Sequence, residues 1–145
     1  MAWKAVWVTN EEPLRAGVHF VRVESMLYDY DFPLEAEFNT DGPESEYVLV
    51  LDGNFPVSTC RIKYLDSGTA QIERVATVRA YRGQGAGRRA IEAAEQGLRE
   101  RGIRKVKIHS RECAIGFYER LGYVTDRSQS EGEGDFILYW TTKDI

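Results

Sequence analysis

Gln71-Ile72-Glu73-Arg74-Val75-Ala76-Thr77-Val78 runs into Arg79-Ala80-Tyr81-Arg82-Gly83-Gln84-Gly85-Ala86-Gly87-Arg88-Arg89. The first part is rich in β-branched and apolar residues and reads as the later portion of a strand over Thr69 to Val78. The second is a glycine-rich turn. Behind the turn lies the clearest helix of the chain: Ala86, Ala90, Ala94 and Leu98 recur at fours, charges occupy the other side, and Gly102 stops it. Lys105 to Ser110 then reads as another strand. Strand, turn, helix and strand in this order predict a right-handed crossover between two parallel strands.

The turn has the chemistry of an anion cradle. Glycines let backbone approach a ligand closely and allow successive N–H groups to converge. The helix start adds unpaired N–H groups and partial positive charge. Arg79, Arg82, Arg88 and Arg89 stand within eleven residues that contain no acid. Gly87 is not followed by Lys-Ser/Thr, as a Walker motif requires. The turn also falls about halfway along the chain, not after a first strand as in a dinucleotide fold.

Outward from this unit, Trp3 to Val8 is a short strand. Asn10 with Glu12-Pro13 starts a helix that carries Leu14, Val18 and Val21 on one face and fades near Tyr28. Asp29 to Pro43 is a loop with a short helix around Leu34 to Phe38. Glu46 to Leu51, Val57 to Leu65 and Thr69 to Val78 are three strands joined at Asp52-Gly53 and Asp66-Ser67-Gly68, an antiparallel meander. Glu112 to Leu121 is a helix stopped by Gly122. Tyr123 to Arg127 and Phe136 to Thr142 are the last strands. The result is a mixed α/β (α+β) arrangement in one domain spanning 1–145.

Composition bounds the function. With 145 residues, 43% hydrophobic and 29% charged, the chain suits one folded domain. The net charge of −4 argues against general nucleic-acid binding. No apolar run approaches the ~20 residues of a membrane span, and no secretory signal is visible. Two cysteines, Cys60 and Cys113, are too few for a disulfide framework and lack metal-ligand spacing. A reduced, cytoplasmic protein without metal is the expectation. The charge is uneven. Glu24 to Glu46 holds eight acids and no Lys or Arg, so the remainder carries +4.

Arg82-x-x-Gly85-x-Gly87 resembles the acyl-CoA pyrophosphate signature of the GNAT superfamily of N-acetyltransferases. The strand Gln71–Val78 resembles the family's fourth strand. Phe117-Tyr118-Glu119-Arg120-Leu121-Gly122-Tyr123 resembles its late helix and the turn after it. The likeness is detailed over about 46–142, and the element order extends it to the whole chain. It implies a mostly antiparallel sheet flanked by helices, with splayed central strands, here 70–78 and 105–110. It implies acetyl-CoA as co-substrate. Backbone groups of Val75, Ala76 and Thr77 would serve the pantetheine arm. Those of Arg82, Gly83, Gln84, Gly85, Ala86, Gly87 and Arg88 would hold the pyrophosphate.

The implied reaction is acetyl transfer from a thioester to an amine. Glu73 is the candidate base; an ion pair with Arg61 or Lys63 is its structural alternative. Tyr118 is the candidate proton donor to the departing thiolate; a core aromatic beside Phe117 and Leu121 is its alternative. Many relatives have an Asn before the late helix, where this chain has Ser110-Arg111-Glu112-Cys113, and Arg111 is read as reaching toward a CoA phosphate. Some have a His near the position of Asp135-Phe136. His109 is the substitute shuttle, and Cys113 has no evident base partner for a nucleophilic role. The acids and aromatics of Asp29 to Phe38 suit a small cationic amine. A protein lysine or N-terminus is the other acceptor class, and a CoA-binding sensor without turnover is the alternative function. In relatives the last strands often pair two copies, so a homodimer is a further expectation.

Overall fold

The computed structural model describes residues 2–145. Seven strands form one sheet in the order β1-β2-β3-β4-β5-β7-β6. They are β1 (Trp3–Val8), β2 (Glu46–Asp52), β3 (Phe55–Tyr64), β4 (Thr69–Thr77), β5 (Lys105–Arg111), β6 (Val124–Thr125) and β7 (Leu138–Asp144). The helices are α1 (Glu12–Arg22), prolonged by a π turn over Val23–Leu27, then α2 (Leu34–Phe38), α3 (Ala86–Glu100) and α4 (Ile115–Arg120). Every strand pair is antiparallel except β4–β5, which α3 connects. This is the mixed, mostly antiparallel sheet flanked by helices that the sequence implies.

The core is built by alternation. Val48, Leu49 and Val50 of β2 are all buried, because both faces of the sheet are covered. On one face Gly17 of α1 sits so close to Leu49 that an added Cβ would lie 2.9 Å from its side chain. On the other face Cys60 approaches the Ala90 carbonyl of α3. There Ala86, Ala90, Ala94 and Leu98 are buried, as their spacing predicts. Gly97 is required for this contact: a Cβ would fall 2.4 Å from the Trp7 ring, so only glycine lets α3 lie on β1.

Several element ends differ from the sequence reading: β3 starts at Phe55 instead of Val57, β7 runs Leu138–Asp144 instead of Phe136 to Thr142, and three further differences have a visible cause. The first helix is capped at Glu11, not Asn10; Glu11 folds back to accept from the Thr9 N–H and hydroxyl. The helix expected over Glu112 to Leu121 splits into a 3-10 turn at Glu112–Ala114 and α4. The strand expected over Tyr123 to Arg127 shortens to β6, because Tyr123 is buried and its hydroxyl donates to Glu95 at 2.8 Å. The Leu-Gly-Tyr sequence after α4 therefore anchors that helix against α3.

Two irregularities in β4 shape the site. Between Thr59↔Ala76 and Arg61↔Glu73 the register slips, so two β4 residues, Arg74 and Val75, oppose Cys60 alone. Arg74 takes φ +52 at this bulge, a left-handed conformation few non-glycine residues adopt. On its other edge β4 pairs with β5 only from Thr69↔Lys105 to Gln71↔Lys107. Beyond Gln71 the two strands separate, and β4 from Ile72 to Thr77 has no strand partner on that side among the described residues.

Candidate active site

The parted strands open a cleft of about 1090 Å³. Its floor is β4 from Gln71 to Thr77, its far wall the end of β5 and α4, and its near wall the segment after α1. One end closes on the turn before α3. Gly83 and Gly85 hold φ +75 and +90, and an added Cβ at either would meet nothing within 4 Å. Gly85 caps α3 without a side-chain hydrogen bond, so the first N–H groups of the helix remain available. An anion fits here: the space is open and the donors are unspent.

Most residues assigned to the cofactor line this cleft: Val75 to Thr77, Arg82, Gly83 and Gly85 to Arg88. Gln84 does not; its side-chain amide donates to the Ala80 carbonyl at 3.1 Å. The four arginines also divide. Arg89 points back to the Trp3 carbonyl, 3.2 Å away, and Arg79 lies over the Tyr28 ring at 3.4 Å. Arg82 and Arg88 remain at the cleft. Arg82 donates through Nε to the Thr77 carbonyl at 3.1 Å and pairs through Nη2 with Asp29 at 2.8 Å.

Glu73 lines the cleft and is ion-paired with Arg61, Oε1 to Nε at 3.1 Å. Lys63, the other expected neighbour, is in register with Gln71 instead. Arg61 continues into a buried network that the sequence reading missed. Its Nη1 lies 2.7 Å from Asp41, which also binds Arg22 at 2.7 Å and accepts from the Tyr47 hydroxyl at 2.6 Å. Arg22 in turn pairs with Glu37 at 2.9 Å. These charge-assisted bonds outweigh burial and hold the Asp41 carboxyl below the ordinary aspartate range. The signal for this network was present in α1. Arg22 falls four residues after buried Val18, on the apolar face, where an arginine must be paired.

Tyr118 projects from α4 into the cleft wall and is buried. Its ring meets Phe117 at 5.1 Å and Tyr123 at 6.0 Å, so it is also a packing residue. Its hydroxyl has no hydrogen-bond partner among the described residues. Burial raises its pKa, so the phenol stays protonated and able to donate throughout the neutral range.

The other candidates separate clearly. Cys60 is fully buried and its thiol is pushed up to about 12, so it is inert. Cys113 is exposed at the cleft edge. His109 lines the cleft with its ring stacked on Trp140 at 4.3 Å and Nε2 3.6 Å from Glu131. Arg111 does not reach for the glycine turn. It donates to the Tyr30 hydroxyl and to the Asp135 carbonyl, inside a cluster formed by Tyr30, Phe32 and Phe136.

The acidic loop is also placed differently from its expected role. Among its acids only Asp29 and Glu37 line the cleft, and each is neutralised, by Arg82 and Arg22 respectively. Among the described residues no carboxylate of the loop that lines the cleft is free, and Asp31 and Glu35 are exposed outside it.

Comparison with known proteins agrees with this architecture. The model of the Acetyltransferase (GNAT) family matches residues 10–123. A Bacillus subtilis (strain 168) protein named as an acetyltransferase is 36% identical over 121 residues, covering 81% of each chain. An N-acetyltransferase of the same organism, YjcF, is 31% identical over 120 residues, covering 83% of this chain and 84% of its own. A crystal structure of an N-acetyltransferase from Lactobacillus plantarum superposes with TM-score 0.90 and 27% identity over 99% of both chains. The PaiA N-acetyltransferase of Thermoplasma acidophilum, crystallised with coenzyme A, shares the fold at TM-score 0.76 and 13% identity over 100% of both chains. An open β4 edge leading to a glycine cradle, together with these matches, assigns the chain to the GNAT acetyltransferase family.

Proposed function

We propose that this protein transfers the acetyl group of acetyl-CoA to a primary amine by direct attack. The observation that carries the reading is the continuity of the cleft. The free edge of β4 runs from Glu73 past Val75 to the glycine turn, so one extended ligand can reach from carboxylate to anion cradle. Acetyl-CoA supplies an activated thioester at one end and phosphates at the other. Backbone N–H groups of the turn and of the α3 start, with Arg82 and Arg88, would bind the phosphates. The unpaired edge of β4 over Val75, Ala76 and Thr77 would pair with the amide-bearing arm as an added strand. The presence of coenzyme A in the Thermoplasma acidophilum structure supports this docking.

The chemistry balances with the groups at hand. A C–N bond forms to the acetyl carbon and the C–S bond breaks. The amine loses a proton, which Glu73 accepts directly or through water, and the thiolate gains one from the Tyr118 hydroxyl. Positioned proton transfer of this kind contributes on the order of 10²–10⁴ in rate. Burial keeps the proton on Tyr118, so at neutral pH the phenol is present as a hydrogen-bond donor to the departing sulfur. The Arg61 pairing of Glu73 favours a second reading, a CoA-binding domain without turnover, since it matches the structural alternative for that residue.

The two readings part in one experiment. Acetyl-CoA is expected to raise the melting temperature while ATP and NAD do not, and amine-dependent thiol release is expected on top of it. Tyr118→Phe should lower kcat about 100-fold with the KM for acetyl-CoA unchanged. Equal thermal shifts from all three nucleotides would remove the acyl-CoA reading. A shift with no thiol release would leave the binding domain.

A further inference from the structure

Once partners are counted, the charge left over in the cleft is positive. Its three carboxylates are all engaged: Asp29 with Arg82, Glu37 with Arg22 and Glu73 with Arg61. Arg74 and Arg111 also line it, and neither has a carboxylate partner among the described residues. The Nε of each is buried without a hydrogen-bond partner. A buried donor left unsatisfied is costly, so both guanidiniums carry unspent hydrogen-bonding capacity at the cleft wall.

The phosphates of acyl-CoA do not take up that capacity, because both arginines lie short of the glycine turn. Arg74 sits at the β4 bulge, three residues and roughly 10 Å of strand before Thr77. Arg111 ends β5, paired with Leu138 of β7, in the stretch where β5 has parted from β4. Both arginines line the same cleft as Glu73, beside which the acceptor amine would stand.

Arg111 is held as a recognition group. Its guanidinium carbon lies 4.6 Å from the Phe136 ring centre and 4.9 Å from that of Tyr30. Nη1 is fixed by the Tyr30 hydroxyl and Nη2 by the Asp135 carbonyl at 3.2 Å. A stacked, tethered guanidinium presents a rigid fork that matches a carboxylate. Around it Tyr30, Phe32 and Phe136 form a triangle with ring centres 5.6, 5.6 and 6.0 Å apart. That triangle offers an apolar surface beside the charge.

We infer that the acceptor is a primary amine that also carries a carboxylate and an apolar side group, an amino-acid-like molecule. Arg111, assisted by Arg74, binds the carboxylate, and the Tyr30–Phe32–Phe136 triangle packs the side group. A polyamine would meet unpaired arginines instead, a juxtaposition that disfavours binding. This inference rests on the acetyl-transfer reading of the cleft.

The test measures thiol release from acetyl-CoA with leucine, phenylalanine, their carboxylate-free counterparts isopentylamine and phenethylamine, and spermidine. The amino acids are expected to exceed the other amines at least tenfold in kcat/KM. Arg111→Gln should raise KM for the amino acids at least tenfold, raise that for phenethylamine at least fivefold less, and keep the KM for acetyl-CoA within twofold. Arg74→Gln, an independent variant on another strand, should act in the same direction, and melting curves confirm that both fold. Equal use of the carboxylate-free amines, a preference for spermidine, or an equal loss for all amines in Arg111→Gln overturns the inference. So does a failure of both amino acids to react while acetyl-CoA still raises the melting temperature. Absence of that thermal shift would instead defeat the transfer reading itself.

Discussion

The acidic segment 24–46 and the arginine-rich turn 79–89 carry opposite charge along the chain, and the fold uses them unlike one another. Five of the eight acids are engaged by the protein, while Asp31, Glu35 and Glu44 are exposed. Glu37 and Asp41 disappear into the Arg22–Arg61 network, Glu24 accepts from the Arg79 N–H at 3.0 Å, and Glu46 accepts from Trp7 at 2.9 Å. The turn keeps its capacity. Its glycines hold left-handed backbone with open space in front, and the helix start behind it has no side-chain cap. The lesson is that side-chain charge is easily neutralised within a fold, whereas a backbone cradle is not. Function at this site follows the glycines more closely than it follows the charge.

The largest effect should come from breaking the acidic side. Asp41 holds two arginines and Tyr47 at once and is nearly buried. Asp41→Asn leaves both guanidiniums short of a counter-charge, a change that costs about 3–5 kcal/mol for a buried pair. Thermal unfolding is expected to show it, with a melting-temperature loss on the order of 10 °C. The pH dependence carries a sign. The Asp41 pKa is depressed on folding, so its contribution is present above the unfolded aspartate value of about 3.9 and is lost as pH falls through the lower folded value. The gap between wild type and Asp41→Asn should therefore narrow below about pH 4. A gap that stays constant there would show that Asp41 is not the ionised hub.

Breaking the turn should cost binding more than stability. Gly85→Glu forces a side chain onto φ +90, a strain of roughly 1–2 kcal/mol, and sets a negative charge in the cradle. Acetyl-CoA affinity is expected to fall at least 100-fold by calorimetry, with a modest loss of melting temperature. Unchanged affinity would mean that the anion docks elsewhere, and the contrast between the two regions would fail.

The same contrast explains what the sequence made legible. The crossover at 70–110 was readable because glycine spacing, helix period and strand composition are local signals that agree. The cradle followed from them, whereas Tyr118 came only from the resemblance of Phe117–Tyr123 to the family's late helix. The Arg22–Asp41–Arg61 network was not readable, because it joins α1, the loop before β2, and β3 through contacts twenty residues apart or nearly so. Nor was the Arg74 bulge, since nothing in Glu73-Arg74-Val75 marks a left-handed residue. The partners of the acids in Asp29 to Phe38 were not readable for a related reason. A run of acids looks the same in sequence whether it faces solvent, a substrate or buried arginines.

The two regions touch at one place, and the smallest predicted effect lies there. Three consecutive residues after α1 reach across the cleft: Tyr28 lies under Arg79, Asp29 pairs with Arg82, and Tyr30 meets Arg111. Asp29 thus occupies the arginine that an incoming phosphate would use, and its own charge opposes that phosphate. Both partners are partly exposed, with side-chain accessibilities of 43% and 33%, so solvent screens the pair and its strength is on the order of 0.5–1 kcal/mol. Asp29→Asn is therefore expected to tighten acetyl-CoA binding about threefold and to leave stability nearly unchanged. The gain should shrink as salt is raised, because the interaction removed is electrostatic and exposed. A weaker affinity in Asp29→Asn would show instead that this carboxylate orients Arg82 toward the phosphates, and would make the acidic segment a partner of the turn where the structure now has it as a competitor.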